Sequence, residues 1–200
     1  MQNEEAKAKL ESFILNSRLM SRKSSFVSLI AYIFENRDVT NFSIIETGTM
    51  RTKKEQDMPG DGGSTVLWGL FCKLTGNKCY TVDLLQEAID TCRTWTKEYA
   101  DVINYVTQDS VQFLRDFDGK IDLLYLDSFD SPPHMMEQAS IHQLNEISAC
   151  YDRLAEGTLI LLDDAPLDLS GGKVKYSIPF LMEKGAKRIY FADTQILFQK

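Results

Sequence analysis

Short apolar runs alternate along the chain with longer stretches in which apolar residues recur every three or four positions. This is the pattern of a parallel sheet covered by helices. Helical spacing comes first. Over residues 3–20 the apolar positions Leu10, Phe13, Ile14 and Leu15 stand among charges, and over 25–36 Phe26, Leu29, Ile30 and Ile33 share one face. A short buried strand is predicted over 42–46, breaking at Gly48. "STVLWGLFCKLTG" reads as a helix with Ser64 as N-cap and Gly76 as its stop. "KCYTVDLL" is a second strand ending near Asp83, "QEAIDTCRTWTKEY" a helix, "VINYVTQDS" a third strand and "VQFLRDF" a short helix. "KIDLLYLDSFD" is a fourth strand, almost wholly apolar over 121–126, and a long helix over 137–154 leads to a fifth, "GTLILLDDAP". The tail "GAKRIYFADTQILFQK" predicts two strands about an Asp193–Thr194 turn. The sum is five β/α units closed by an antiparallel hairpin.

Acids fall where the apolar runs stop. Glu46 ends the first strand, Asp83 the second, Asp109 follows the third, Asp127 the fourth, and Asp163 and Asp164 the fifth. Any one of them reads equally as a turn former or helix cap. As a set they mark the carboxyl edge of the sheet, where open α/β folds bind ligands. Two adjacent carboxylates at the end of a strand apolar on both faces need water or a positive partner, since unpaired buried charge is costly.

The composition narrows the classes. The chain has 200 residues, 44% hydrophobic and 26% charged, with a formal net charge of -7. That is enough for one domain, with 1–40 as a helical cover and 41–200 as the binding sheet and helices. The acidic balance argues against a nucleic-acid or anionic-membrane surface. The basic cluster in "SRLMSRKSS" (Arg18, Arg22 and Lys23) reads as a solvated face near a helix end. Cys72, Cys79, Cys92 and Cys150 show no metal-ligand spacing, and the charged start shows no leader, so reduced thiols in a cytoplasmic protein are expected. His134 and His142 are the only histidines.

A carboxylate ending the second strand, past a glycine turn on the first, is placed to accept from ribose hydroxyls. "ETGTMRTKKEQDMPGDGGST" is neither GxGxxG nor a phosphate loop, so a nucleoside ligand is expected rather than NAD or a triphosphate. On "IIETGT", "YTVDL", "VTQDSVQFL" and "KIDLLYLDSFD", from residue 42 to the C-terminus, the sequence resembles the class I S-adenosylmethionine-dependent methyltransferases. The resemblance implies a Rossmann-like three-layer sandwich with a mostly parallel seven-stranded sheet of order 3-2-1-4-5-7-6. It implies that Glu46, Thr47 and Gly48 line the methionine end, that Asp83 and Leu84 hold the ribose, and that Asp109 and Ser110 flank the adenine. Gly62, Gly63 and Ser64 would complete a first motif split by an insertion, and Asp127 would border the cofactor.

"LLYLDSFDSPP" followed by "AEGTLILLDDAP" is similar to the metal-dependent O-methyltransferases, of catechol and sugar type. That similarity implies Mg2+ or another divalent cation on Asp127, Asp163 and Asp164, activating a hydroxyl of a small acceptor such as a sugar or phenol. Where the catechol type carries a lysine three residues after the fourth-strand acid, this chain has Asp130. The base is therefore left open among Asp130, His134 and Asp164, with Asp127 also in the catalytic set. The N-terminal helices and residues 50–60, 128–136 and 167–176 are expected to cover the acceptor, "DLSGGKVKYS" as a mobile lid, with at most one of Met135 and Met136 lining it. A metal-free enzyme of the same fold and a non-catalytic cofactor-binding scaffold are the competing readings. "DSPP" at 130–133 lacks the aromatic of a base-flipping motif, so no nucleic acid and no membrane are expected as partners; a homodimer is left open.

Overall fold

The computed structural model describes residues 2–54, 63–130, 132–169 and 171–200. Two helices, α1 (Gln2–Asn16) and α2 (Lys23–Asn36), precede β1 (Ser43–Thr47). Then follow α3 (Ser64–Thr75), β2 (Lys78–Asp83), α4 (Gln86–Trp95), β3 (Ile103–Thr107) and α5 (Ser110–Asp116). The second half runs through β4 (Leu123–Leu126), α6 (Met136–Cys150), β5 (Leu159–Leu162), α7 (Ser177–Glu183), β6 (Lys187–Ala192) and β7 (Gln195–Gln199). The seven strands form one sheet in the order β3-β2-β1-β4-β5-β7-β6. The first five strands pair parallel; β7 runs antiparallel to β5 and to β6. Both the fold class and the closing hairpin are as the sequence predicted.

Strand alternation sorts the core onto two faces. Ile44, Leu123, Tyr125, Leu159, Leu161 and Leu197 pack with α1, α2 and α3. Ile45, Leu124, Leu126, Ile160, Leu162 and Ile196 pack with α5, α6 and α7. On the first face Phe26, Trp68 and Tyr125 meet edge to face, with centroids 5.6–6.0 Å apart, joining α2, α3 and β4 directly beneath the strand ends. Asp193 and Thr194 both take positive φ (47° and 65°), the backbone of a two-residue hairpin turn.

Three local expectations change. Ser64 is the first helical residue rather than the cap; Gly63, at φ 66°, precedes it, and the Ser64 hydroxyl goes elsewhere. Helix α7 was hidden because the polar glycine run before it reads as loop. Arg22 is not part of a solvated face. It takes a left-handed φ of 50° just before α2 and turns its side chain inward, while Arg18 stays exposed.

Candidate active site

Two cavities adjoin at the carboxyl ends of the strands and share Gly48, Arg51 and Phe129. Asp83, Leu84, Asp109, Ser110 and His142 line the first. Asp83 ends β2 half-buried, and its Oδ1 accepts the Leu85 N–H at 2.8 Å. Burial raises its carboxyl, against the Leu85 N–H and the Arg51 charge. Leu84 and Leu85 lie 67% and 60% exposed beside it, an apolar lip that a planar base would cover. Asp109 caps α5 by accepting the Gln112 N–H at 2.8 Å. Ser110 is buried, with its hydroxyl 3.1 Å from His142 Nε2.

His142 was not singled out from sequence, where it reads as one polar position on a long helix. Its ring packs against Phe129 at 5.4 Å, and its Nε2 is 3.5 Å from Oε1 of the buried Glu146, one turn on. Burial works against its charge, but Glu146 outweighs burial and raises its pKa. Glu146 Oε1 also accepts the Ser128 hydroxyl at 2.5 Å. An i, i+4 pair facing the fourth-strand loop was the available signal.

At the junction of the cavities the backbone itself is the wall. Gly48 has φ +80°, and a Cβ there would stand 2.5 Å from the Asp127 carbonyl oxygen. The β1 and β4 turns can touch only because position 48 has no side chain. Gly63 makes the same kind of approach to the Leu19 carbonyl oxygen. Thr47 is buried and lines neither cavity; Gly62, much of the 50–60 loop, Ser131 and Ser170 lie outside the described residues. Glu46 borders the second cavity, 1% exposed. Its Oε1 accepts Ser64 Oγ at 2.5 Å and Trp68 Nε1 at 3.0 Å; its Oε2 accepts Thr65 Oγ1 at 2.6 Å and Thr81 Oγ1 at 2.9 Å. Burial pushes the carboxyl up to about 7 against these four donors.

Asp127, Asp163 and Asp164 come together, as expected from the sequence, but their charges are met from within the chain. Arg22 Nε lies 2.7 Å from Asp163 Oδ1, and Arg22 Nη2 lies 3.3 Å from Asp164 Oδ1. Lys173 Nζ lies 3.3 Å from Asp127 Oδ1 and 3.6 Å from Asp164 Oδ2. Asp163 is fully buried and its carboxylate is taken up. Besides its ion pair with Arg22, Oδ1 accepts the Asp164 N–H at 2.7 Å, and Oδ2 accepts the Tyr125 hydroxyl at 2.5 Å and Gln195 Nε2 at 3.1 Å. Tyr125 also stands 3.1 Å from Asp127 Oδ2. Burial and the neighbouring Asp163 hold the Asp127 carboxyl well above the usual range. Burial opposes both cations, but the three aspartates outweigh it and raise both.

A divalent ion needs several carboxylate oxygens turned toward one point. Here they are turned toward a guanidinium and an ammonium, and among the described residues no group of three or more His, Cys, Asp or Glu is arranged to hold a metal. The expected ligand set is thus present as residues and not as a cage.

The remaining sequence candidates divide. Asp130 lines the second cavity and pairs with Arg51 at its exposed rim. His134 is exposed, in a 3-10 turn (Pro133–Met135), and lines neither cavity. The expected lid is anchored at its centre, with Lys173 and Val174 buried, although Leu167 is 86% exposed. All four cysteines are free and buried. No helix among the described residues is long and apolar enough to cross a membrane.

No curated protein matches the chain. Among solved structures, the S-adenosylhomocysteine-bound methyltransferase PaMTH1 of Podospora anserina superposes with TM-score 0.60 at 16% identity, over 96% of this chain and 86% of that one. A SAM-dependent O-methyltransferase of Thermotoga maritima gives TM-score 0.56 at 16% identity, over 96% and 71%. MycE, a methyltransferase of the mycinamycin pathway solved with Mg and S-adenosylhomocysteine, gives 0.56 at 15% identity, over 88% of this chain and 49% of that one. At such identities the likeness is one of fold. A family model described as a methyltransferase domain matches residues 60–165, more than half of the chain, from just ahead of α3 through the paired aspartates after β5. The chain therefore belongs to this methyltransferase domain family, with the class I, S-adenosylmethionine-dependent architecture that its sheet order carries.

Proposed function

We propose that the protein transfers the methyl group of S-adenosylmethionine to an oxygen of a small hydroxylated acceptor. The observation that carries this is the continuity of the two cavities. One offers a carboxylate for ribose hydroxyls and apolar faces for a base; the other offers Asp127 and Lys173 at the far end. Residues fit the cofactor along the whole path: Asp83 at the ribose, Leu84 and Phe129 about the base, Gly48 as a backbone floor between them.

Bound there, S-adenosylmethionine supplies an electrophilic methyl on a cationic sulfur. The chain's own groups do the rest. A hydroxyl in the second cavity donates to Asp127, which lines that cavity and serves as the general base. Its oxygen forms the new C–O bond as the C–S bond breaks and that electron pair goes to sulfur; the hydroxyl proton goes to Asp127. Much of the acceleration is expected from holding the reactants in line. The cavity's crowded charges favour a polar acceptor, and a net charge of -7 favours a small molecule over nucleic acid.

The test is calorimetric titration with S-adenosylmethionine and S-adenosylhomocysteine, then assay of a panel of sugars, phenols and hydroxy acids for homocysteine-nucleoside release. Saturable binding with turnover on at least one hydroxylated compound is expected. Absence of binding refutes the reading; binding with turnover confined to amines or thiols refutes its oxygen specificity.

A further inference from the structure

We infer that Arg22 and Lys173 together take the place of a divalent cation at the strand-end acids, and that Lys173 Nζ is the group that holds the acceptor's oxygen. The first clause stands on geometry alone; the second rests on the methyl-transfer reading. Three carboxylates converge at the ends of β4 and β5, and each has one of the two cations within 3.6 Å. Asp164 lies between them, touched by Arg22 on Oδ1 and by Lys173 on Oδ2. A dication entering this space would meet two like charges and carboxylates already coordinated by donors, so it would have to displace side chains rather than fill a gap.

Both cations are delivered by unusual backbone. Arg22 has a left-handed φ in the link between α1 and α2, and only 19% of its side chain is exposed. Lys173 follows Gly172, at φ +63°, where a Cβ would stand 2.8 Å from Pro166 Cδ and 3.0 Å from the Asp164 carbonyl oxygen. The glycine lets the Lys173 segment press against the turn that carries the paired aspartates. Lys173 is then 1% exposed yet borders the cavity, its ammonium held between Asp127 and Asp164, which line the same space. An ammonium fixed there stabilises the oxygen as it is deprotonated, the task a metal would perform, without a metal's exchange and pH requirements.

The experiment titrates Mg2+ and Mn2+ into the wild-type chain, Lys173→Met and Arg22→Met by calorimetry, and measures S-adenosylhomocysteine affinity and turnover with and without EDTA. The wild type is expected to give no stoichiometric metal heat and the same turnover in EDTA. Lys173→Met is expected to bind Mn2+, to keep its S-adenosylhomocysteine affinity, and to lose about 100-fold in kcat. Lys173→Arg, which keeps the charge, serves if the methionine variant does not fold; it should stay blind to metal. Stoichiometric Mn2+ binding by the wild type, or EDTA-sensitive turnover, overturns the first clause. Unchanged kcat in Lys173→Met overturns the second. Failure of the wild type to bind S-adenosylhomocysteine removes the methyl-transfer reading and the second clause with it, while the metal titration still decides the first.

Discussion

Glu46→Gln isolates what burial does to a carboxyl at the edge of the site. Burial lifts Glu46 from an ordinary 4.5 to about 7, against four hydrogen-bond donors. Between those limits the folded chain keeps a proton that the unfolded chain releases. The associated stability is fully present below about pH 4.5 and is lost as the pH rises toward 7. At about 1.4 kcal/mol per tenfold change, the loss is roughly 3 kcal/mol. Glutamine removes the titration and keeps the contacts. Trp68 Nε1 can only donate, so the amide oxygen takes the Oε1 position facing Ser64 and Trp68. The amide nitrogen then faces the Thr65 and Thr81 hydroxyls, which can accept from it. Urea unfolding of wild type and variant at intervals from pH 4.5 to 8 measures the effect. Asp127 shifts in the same direction and contributes to both proteins, so the readout is the difference between the two curves. The wild type should fall by about 3 kcal/mol more than the variant across the window. Parallel curves would refute the argument, because the charged form of Glu46 would then carry no penalty.

Two further outcomes follow from single contacts. Gly48→Ala places a Cβ 2.5 Å from the Asp127 carbonyl oxygen in a left-handed backbone. It should cost about 1–3 kcal/mol in chemical denaturation and weaken S-adenosylhomocysteine binding. Asp83→Asn keeps an oxygen to accept from Leu85 but loses the charge that ribose hydroxyls would meet. It should weaken S-adenosylhomocysteine roughly 10-fold or more with thermal stability nearly unchanged, and equal affinity would remove Asp83 from the ribose.

The acids at the strand ends were legible because strand termination and polarity are local: an apolar run stops, and the next residue faces the edge of the sheet. The hairpin turn and the stop at Gly76, with its φ of 74°, were legible for the same reason. The cations were not. Arg22 meets Asp164 across 142 positions, and Lys173 meets Asp127 across 46. Nothing near either residue announces the partner. "SRK" looks like a solvated basic patch, and "GGK" like a loop. Ser64 shows the same limit in small. Its position next to a helix start was read correctly, but whether its hydroxyl caps that helix or reaches Glu46 is decided by the strand beside it. His142 needed the placement of Ser110 and Phe129 from two other elements before it became more than a helix residue.

Helix α2 has no cap of its own; Asp193, in the last hairpin, accepts the backbone N–H groups of Ser24 and Ser25 at 2.6 and 3.1 Å, across 169 and 168 positions. Tyr190 adds a hydroxyl bond to the Ser25 carbonyl at 2.9 Å. Arg22 sits immediately before this joint. The segment that neutralises Asp163 is therefore positioned by the final hairpin rather than by its own helix. The charge cluster is thus tied to the far end of the chain: loosening the β6–β7 turn from α2 would free the segment that brings Arg22 to Asp163, a coupling that hydrogen exchange would read as lost protection of the Ser24 and Ser25 amides.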